Sequence, residues 1–254
     1  MTYLSPSCLS GRRLLVTGAS SGIGRAAALL LSQCGAHLTI SGRNAERLES
    51  TRQMLDGGGH ALAVATLSDA DDVADWLKNL ALAQGPFDGI FHAAGVVMIR
   101  PMRLTKRSHL DEVFGTSLMA SFGIARASAQ KGVLNNGASI VYMSSVAGSR
   151  GQPGMAAYSA SKSAIDGLVR SFACEMAPRK ICVNAIAAGA VESEMLADVK
   201  DQMGDSGVSN YESRHLLGFG SPFDIAHAAV FLLSPAAAWI TGTTMAVDGG
   251  YMVR

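Results

Sequence analysis

The stretch that most limits what this chain can fold into is Thr17-Gly18-Ala19-Ser20-Ser21-Gly22-Ile23-Gly24. It follows the apolar run Leu14-Leu15-Val16 and precedes Arg25-Ala26-Ala27-Ala28-Leu29-Leu30-Leu31. The first run reads as a buried strand and the second as a buried helix. A strand that turns through glycines into a helix presents unpaired N–H groups at the positive end of the helix dipole, which favours a phosphate. The spacing is Gly-x-x-x-Gly-x-Gly, one residue longer than the common dinucleotide fingerprint. A glycine-rich turn can also be a plain βα connection. The strand before it and the helix after it turn the reading toward a nucleotide site.

The same alternation continues along the chain. Strands are expected at His37–Ser41, Ala61–Leu67, Phe87–His92, Ser139–Met143, Ile181–Ala187 and Thr244–Val247. Helices are expected near Asn44–Asp56, after a cap at Asp69, over Thr105–Lys131, over Met155–Ala177 and over Phe223–Leu233. Regular βα alternation with short connections implies a single α/β domain over residues 1–254, a Rossmann-like, doubly wound parallel sheet with helices on both faces. Hydrophobic residues make up 48% and charged residues 16%, an apolar excess that a sheet covered on both faces or a subunit interface consumes.

These motifs resemble the short-chain dehydrogenase/reductase family, whose members carry Thr-Gly-x-x-x-Gly-x-Gly at this point. The resemblance runs from about Gly11 to Gly250 and includes His92–Gly95, Ser145, Tyr158 with Lys162, and Gly189–Ser193. It implies a dinucleotide held by Gly18, Ser20, Ser21, Gly22, Ile23, Gly24, Thr66, Leu67, Ala93, Ala94, Gly95, Tyr158, Lys162, Gly189, Val191 and Ser193. Three of these positions depart from the family pattern. Thr66 stands for an Asp, Ala93 for a sheet-bracing Asn, and Ser193 for a Thr that contacts the cofactor. Ala188 replaces a Pro, and His92 reads as a packed strand-end residue.

Cofactor choice is read at the end of the second strand, where an acid would bind a ribose 2′-hydroxyl and repel a 2′-phosphate. Here Gly42 takes the acid's place and Arg43 offers a cationic fork, so NADP(H) is expected.

Tyr158 and Lys162 lie one helical turn apart on one face. A tyrosine titrates near about 10, and an adjacent ammonium favours its phenolate, which would make Tyr158 a general acid/base. Ser145, at the end of the fifth strand, can hydrogen-bond an oxygen that gains negative charge during hydride transfer. The resemblance implies that Lys162 also binds the ribose. The fourth family residue, an Asn that fixes a relay water, is absent, and Ser117 occupies its place.

A ketone or aldehyde interconverted with an alcohol is therefore the expected chemistry, with a pocket drawn from Val97, Met98, Val146, Met155, Met195 and Leu196 and polar candidates Arg150 and Gln152. The segment from about 190 to 221, with Asp201, Met203, Gly204, Asp205, Ser206 and Gly207, has no strand signal and is expected to be a substrate lid. The chain is similar to 3-oxoacyl-carrier-protein reductases, and Arg179 stands where those carry a basic carrier contact. The basic cluster before the fifth strand is reduced to Lys131, so a carrier-bound substrate is not adopted. Two other readings stand beside the reductase: a dinucleotide-binding regulatory or assembly subunit impaired in catalysis, and an NAD-dependent alcohol or polyol dehydrogenase.

A net charge of +1 argues against nucleic acid. Cys8, Cys34, Cys174 and Cys182 lack paired or metal-like spacing, Met1–Ser10 lacks a signal-peptide pattern, and no apolar run reaches the ~18 residues of a span. A cytoplasmic protein without a metal or a membrane partner is expected. The apolar carboxyl-terminal helix and final edge strand, with the family resemblance, lead to an expected homotetramer, with a homodimer as runner-up.

Overall fold

In the computed structural model, which describes residues 5–253 without the side chains at 198 and 201–206, all strands belong to one parallel sheet. The expectations for Met1–Leu4 and for the side chains of Asp201, Met203, Gly204, Asp205 and Ser206 lie outside the described residues. The strands are β1 (Arg13–Thr17), β2 (His37–Gly42), β3 (Ala61–Val64), β4 (Phe87–His92), β5 (Leu134–Ser145), β6 (Cys182–Ala188) and β7 (Thr244–Val247). Their order is β3–β2–β1–β4–β5–β6–β7. The chain therefore reverses its winding between β1 and β4, which opens a crevice beyond the carboxyl ends of those two strands.

Period-two alternation divides the core. Leu14 and Val16 face one side of the sheet, where α1 (Gly22–Gln33), α2 (Ala45–Gln53) and α8 (Pro222–Leu233) bury Leu31, Leu48 and Val230 against them. Leu15 faces the other side, covered by α3 (Ala70–Gln84), α5 (Ala120–Ala129) and α6 (Ala156–Met176) through Leu77, Ile124 and Val169. Full burial of such a side chain contributes about 1.5–3 kcal/mol. Asp69 caps α3, its carboxylate accepting from Asp71 and Asp72 N–H groups. Among the described residues no disulfide forms, and no helix is long and apolar enough to cross a membrane.

Besides a β3 that ends earlier and a β5 that runs longer than expected, two helical segments differ from the sequence expectation. The helix expected over Thr105–Lys131 is α4 (Arg107–Phe114), a wide π-type turn over Gly115–Met119, and α5. Close packing accompanies the break: a Cβ on Gly115 would stand 3.0 Å from the Ser68 carbonyl, and one on Gly123 would stand 2.6 Å from Val73. The segment 190–221 is largely a helix, α7 (Glu194–Glu212), rather than an irregular loop. Ser193 starts it, the hydroxyl accepting from the Leu196 N–H at 3.3 Å.

Candidate active site

The carboxyl ends of β1, β4, β5 and β6 supply the site. At β1, Gly18 adopts a left-handed φ of 69°, and a Cβ there would stand 2.8 Å from the Ala94 nitrogen. A Cβ on Gly24 would stand 2.2 Å from the Gly18 carbonyl, so the first turn of α1 presses against the turn that precedes it. Side chains larger than hydrogen are excluded at both positions. Ser21 begins α1 without a side-chain cap and the first turn carries no acid, which leaves a positive helix end facing the crevice. A cradle of bare backbone at an uncapped helix terminus fits a dinucleotide pyrophosphate.

A cavity of about 210 Å³ runs along this cradle. Gly18, Ser20, Ser21, Gly22, Ile23 and Gly24 line it from one side, and Arg43, Thr66, Leu67, Ala93, Ala94, Gly95 and Ser193 complete it. It continues into a cavity of about 600 Å³ lined by Ser145, Tyr158, Lys162, Gly189 and Val191. Ile23, Ala93, Gly95, Ser193 and Met195 border both. Of the residues expected to bind cofactor or act in catalysis, only Ser117 lines neither cavity. It lies in the π-type turn, buried, its hydroxyl without a hydrogen-bond partner. A Cβ on Gly95 would stand 3.6 Å from both Ser117 Oγ and Lys162 Nζ, so the two groups flank that glycine.

The Lys162 amine donates to the Met143 carbonyl at 2.8 Å and lies 5.6 Å from the centroid of the Tyr158 ring. Burial pulls its pKa down to about 8, against a smaller opposing pull from Asp166. Burial pushes the Tyr158 phenol up to about 12, and its hydrogen bond to Ser145 acts in the opposite direction. The causes of that shift do not include Lys162. His92 is the packed residue the sequence implies. Its Nδ1 meets Thr17 Oγ1 at 2.8 Å, and burial with the nearby Lys162 ammonium brings its pKa down to about 3.

The larger cavity corrects part of the pocket assignment. Val97, Met155, Met195, Leu196 and Gln152 line it, whereas Met98, Val146 and Arg150 do not. Val97 and Ile99 border the cavity, and Met98 between them does not. Arg150 instead donates to the Met252 carbonyl at 2.8 Å. Sequence reasoning missed Thr116 on the cofactor side and Ile99, Val199, Tyr211 and Arg214 on the substrate side. Arg179 binds the Ser128 and Leu134 carbonyls and Asn136, a structural role at the start of β5. Among the described residues no group of His, Cys, Asp and Glu side chains converges as a metal site.

Comparison with known proteins agrees with this geometry. The family model described as enoyl-(acyl carrier protein) reductase matches residues 18–252. A 3-oxoacyl-(acyl-carrier-protein) reductase of Rickettsia conorii is 34% identical over 245 residues, covering 96% of this chain and 98% of that protein. The chain is a short-chain dehydrogenase/reductase. Carbonyl reductase family member 4 of Danio rerio is 34% identical over 94% of this chain and 97% of its own. Among solved structures, a proposed NAD(P)-dependent gluconate 5-dehydrogenase from Beutenbergia cavernae, with bound NADP at low occupancy, superposes with a TM-score of 0.88. It is 33% identical and covers 98% of this chain and 100% of that one. The family and fold are those of an oxidoreductase.

Proposed function

We propose that this enzyme interconverts a ketone or aldehyde and an alcohol with NADP(H). The observation that carries this reading is that Ser145, Tyr158 and Lys162 line one cavity continuous with the glycine cradle. The dinucleotide, when bound along the cradle, supplies or receives the hydride. Tyr158 gives a proton to the substrate oxygen, for which a phenol protonated up to about 12 is suited. The Ser145 hydroxyl holds that oxygen, and Lys162, beneath the Tyr158 ring, holds the ribose and favours the phenolate once formed. Ser117, which stands with Lys162 beside Gly95, serves the proton relay with a hydroxyl in place of an amide.

NADP(H) is supported by Arg43 at the cavity wall and by Gly42, which carries no acid. The NADP-bound Beutenbergia relative supports the same choice. Glu194 at the start of α7 pairs with Arg47 of α2 at 2.6 Å, a link from the helix after Arg43 to the segment we assign as substrate lid. The exposed apolar residues Met119, Phe122 and Trp239 support a homotetramer. The experiment that tests this reading is NADPH oxidation over a panel of ketones and aldehydes. Turnover of any panel member distinguishes the enzyme from a binding subunit impaired in catalysis. Tight NADPH binding without turnover favours the subunit.

A further inference from the structure

The wall of the substrate cavity carries a second phenol that the catalytic reading does not use. Tyr211, near the carboxyl end of α7, lines the same cavity as Tyr158, with Val97, Ile99, Met155 and Leu196 beside them. An aromatic frame holds its ring. His215 meets it edge-on with centroids 5.2 Å apart, Phe219 lies at 5.7 Å and Tyr251 at 6.0 Å. His215 is itself anchored, Nδ1 donating to the Tyr211 carbonyl at 3.1 Å and Nε2 accepting from the Ala190 N–H at 3.1 Å. A ring held on several sides points its hydroxyl where the fold directs it.

Gln152 borders the same cavity, and its Nε2 donates to Tyr251 Oη at 2.8 Å. Tyr211 borders the cavity with a hydroxyl that can donate one proton. Around it the wall is mostly apolar. A fixed donor in such a wall is left unpaired by an apolar ligand and is satisfied by a ligand oxygen, a difference that sites use to discriminate.

We propose that Tyr211 is a specificity-determining residue of this site, donating to a second oxygen of the substrate. The cavity then selects oxygenated ketones, the hydroxyketones and dicarbonyls, over plain apolar ketones of equal length. This inference rests on the carbonyl–alcohol reading above.

The test compares hexane-2,3-dione with 2-hexanone in the full-length parental protein and in Tyr211→Phe. For both proteins kcat/KM is measured with NADPH. Binding of each ketone to the NADPH complex is measured by calorimetry in Tyr158→Phe and in the Tyr158→Phe/Tyr211→Phe double variant. Because the dione is intrinsically more reactive, the quantity that decides is the change in the dione-to-hexanone ratio. Tyr211→Phe is expected to lower that ratio at least roughly tenfold, in turnover and in binding. An unchanged ratio overturns the proposal. Failure of the parental protein to reduce either ketone overturns the carbonyl–alcohol reading instead. The calorimetric ratio then still decides the role of Tyr211, and equal binding, or binding of neither ketone, overturns it.

Discussion

The Lys162 amine lies over the face of the Tyr158 ring, 5.6 Å from its centroid, and donates to the carbonyl of Met143. The pair is one helical turn apart on α6, as the spacing of Tyr158 and Lys162 dictates. Packing of α6 against β5 then holds the amine at the Met143 carbonyl. The phenol is left with a pKa raised by burial, and the amine with one lowered by burial.

Lys162 is expected to cost stability while it serves catalysis. Its folded pKa of about 8 lies below its ordinary value of 10.5, so the folded state disfavours the ammonium. That penalty is complete below about pH 8 and is relieved as pH rises toward 10.5. Lys162→Met should therefore melt higher than the parental protein at pH 7, with the gap closing as pH climbs through that window, and should be inactive. Differential scanning calorimetry across pH checks this. A variant that melts lower at pH 7 would contradict it. Parental reduction should also slow as pH rises through about 8, where the ammonium is lost.

Arg43 is expected to set cofactor preference. Arg43→Ala removes a charge-assisted hydrogen bond to a 2′-phosphate and should weaken NADPH binding by about tenfold to a hundredfold, leaving NADH little changed. Calorimetric dissociation constants for both cofactors test this. Equal affinity for the two in the parental protein would contradict the assignment.

Ser117 is expected to contribute through its hydroxyl. Ser117→Ala should lower kcat by roughly tenfold or more with little change in NADPH affinity, and Ser117→Asn should restore or exceed the parental rate. Unchanged kcat in Ser117→Ala would mean that another group serves the relay.

Much of this fold could be read in the sequence because its strands are short, apolar and punctuated. The limits of β4 and β7 match the expected residues, and Asp69 caps α3 as expected. Two features needed tertiary information. The π-type turn at Gly115–Met119 follows from how closely Gly115 and Gly123 approach α3 and its entry loop, which no local pattern records. Helix α7 contains Gly204 and Gly207, residues of low helix propensity, so its sequence resembles a loop. In the site, the cofactor wall comes from contiguous motifs and was legible. The substrate wall comes from residues far apart in sequence, so Tyr211 could be found only once α7 lay near Val97 and Ile99.

Assembly is expected to cover the apolar surface left by one chain. Trp239 is 98% exposed, Phe122 46% and Met119 40%, and β7 pairs only with β6 at the sheet edge. An exposed edge beside apolar side chains invites symmetric pairing. Light scattering at micromolar concentration should give a tetramer mass, and a monomer mass would contradict it.

The central claim is that Tyr158 is the proton donor of a carbonyl reductase. The most direct measurement is kcat for NADPH-dependent reduction of the best ketone found for the parental protein, made in parallel on Tyr158→Phe, with NADPH affinity measured for both. Loss of kcat by at least roughly a hundredfold with NADPH affinity within about threefold is the predicted result, since only the phenolic proton is removed. Turnover by Tyr158→Phe at near the parental rate would contradict the account.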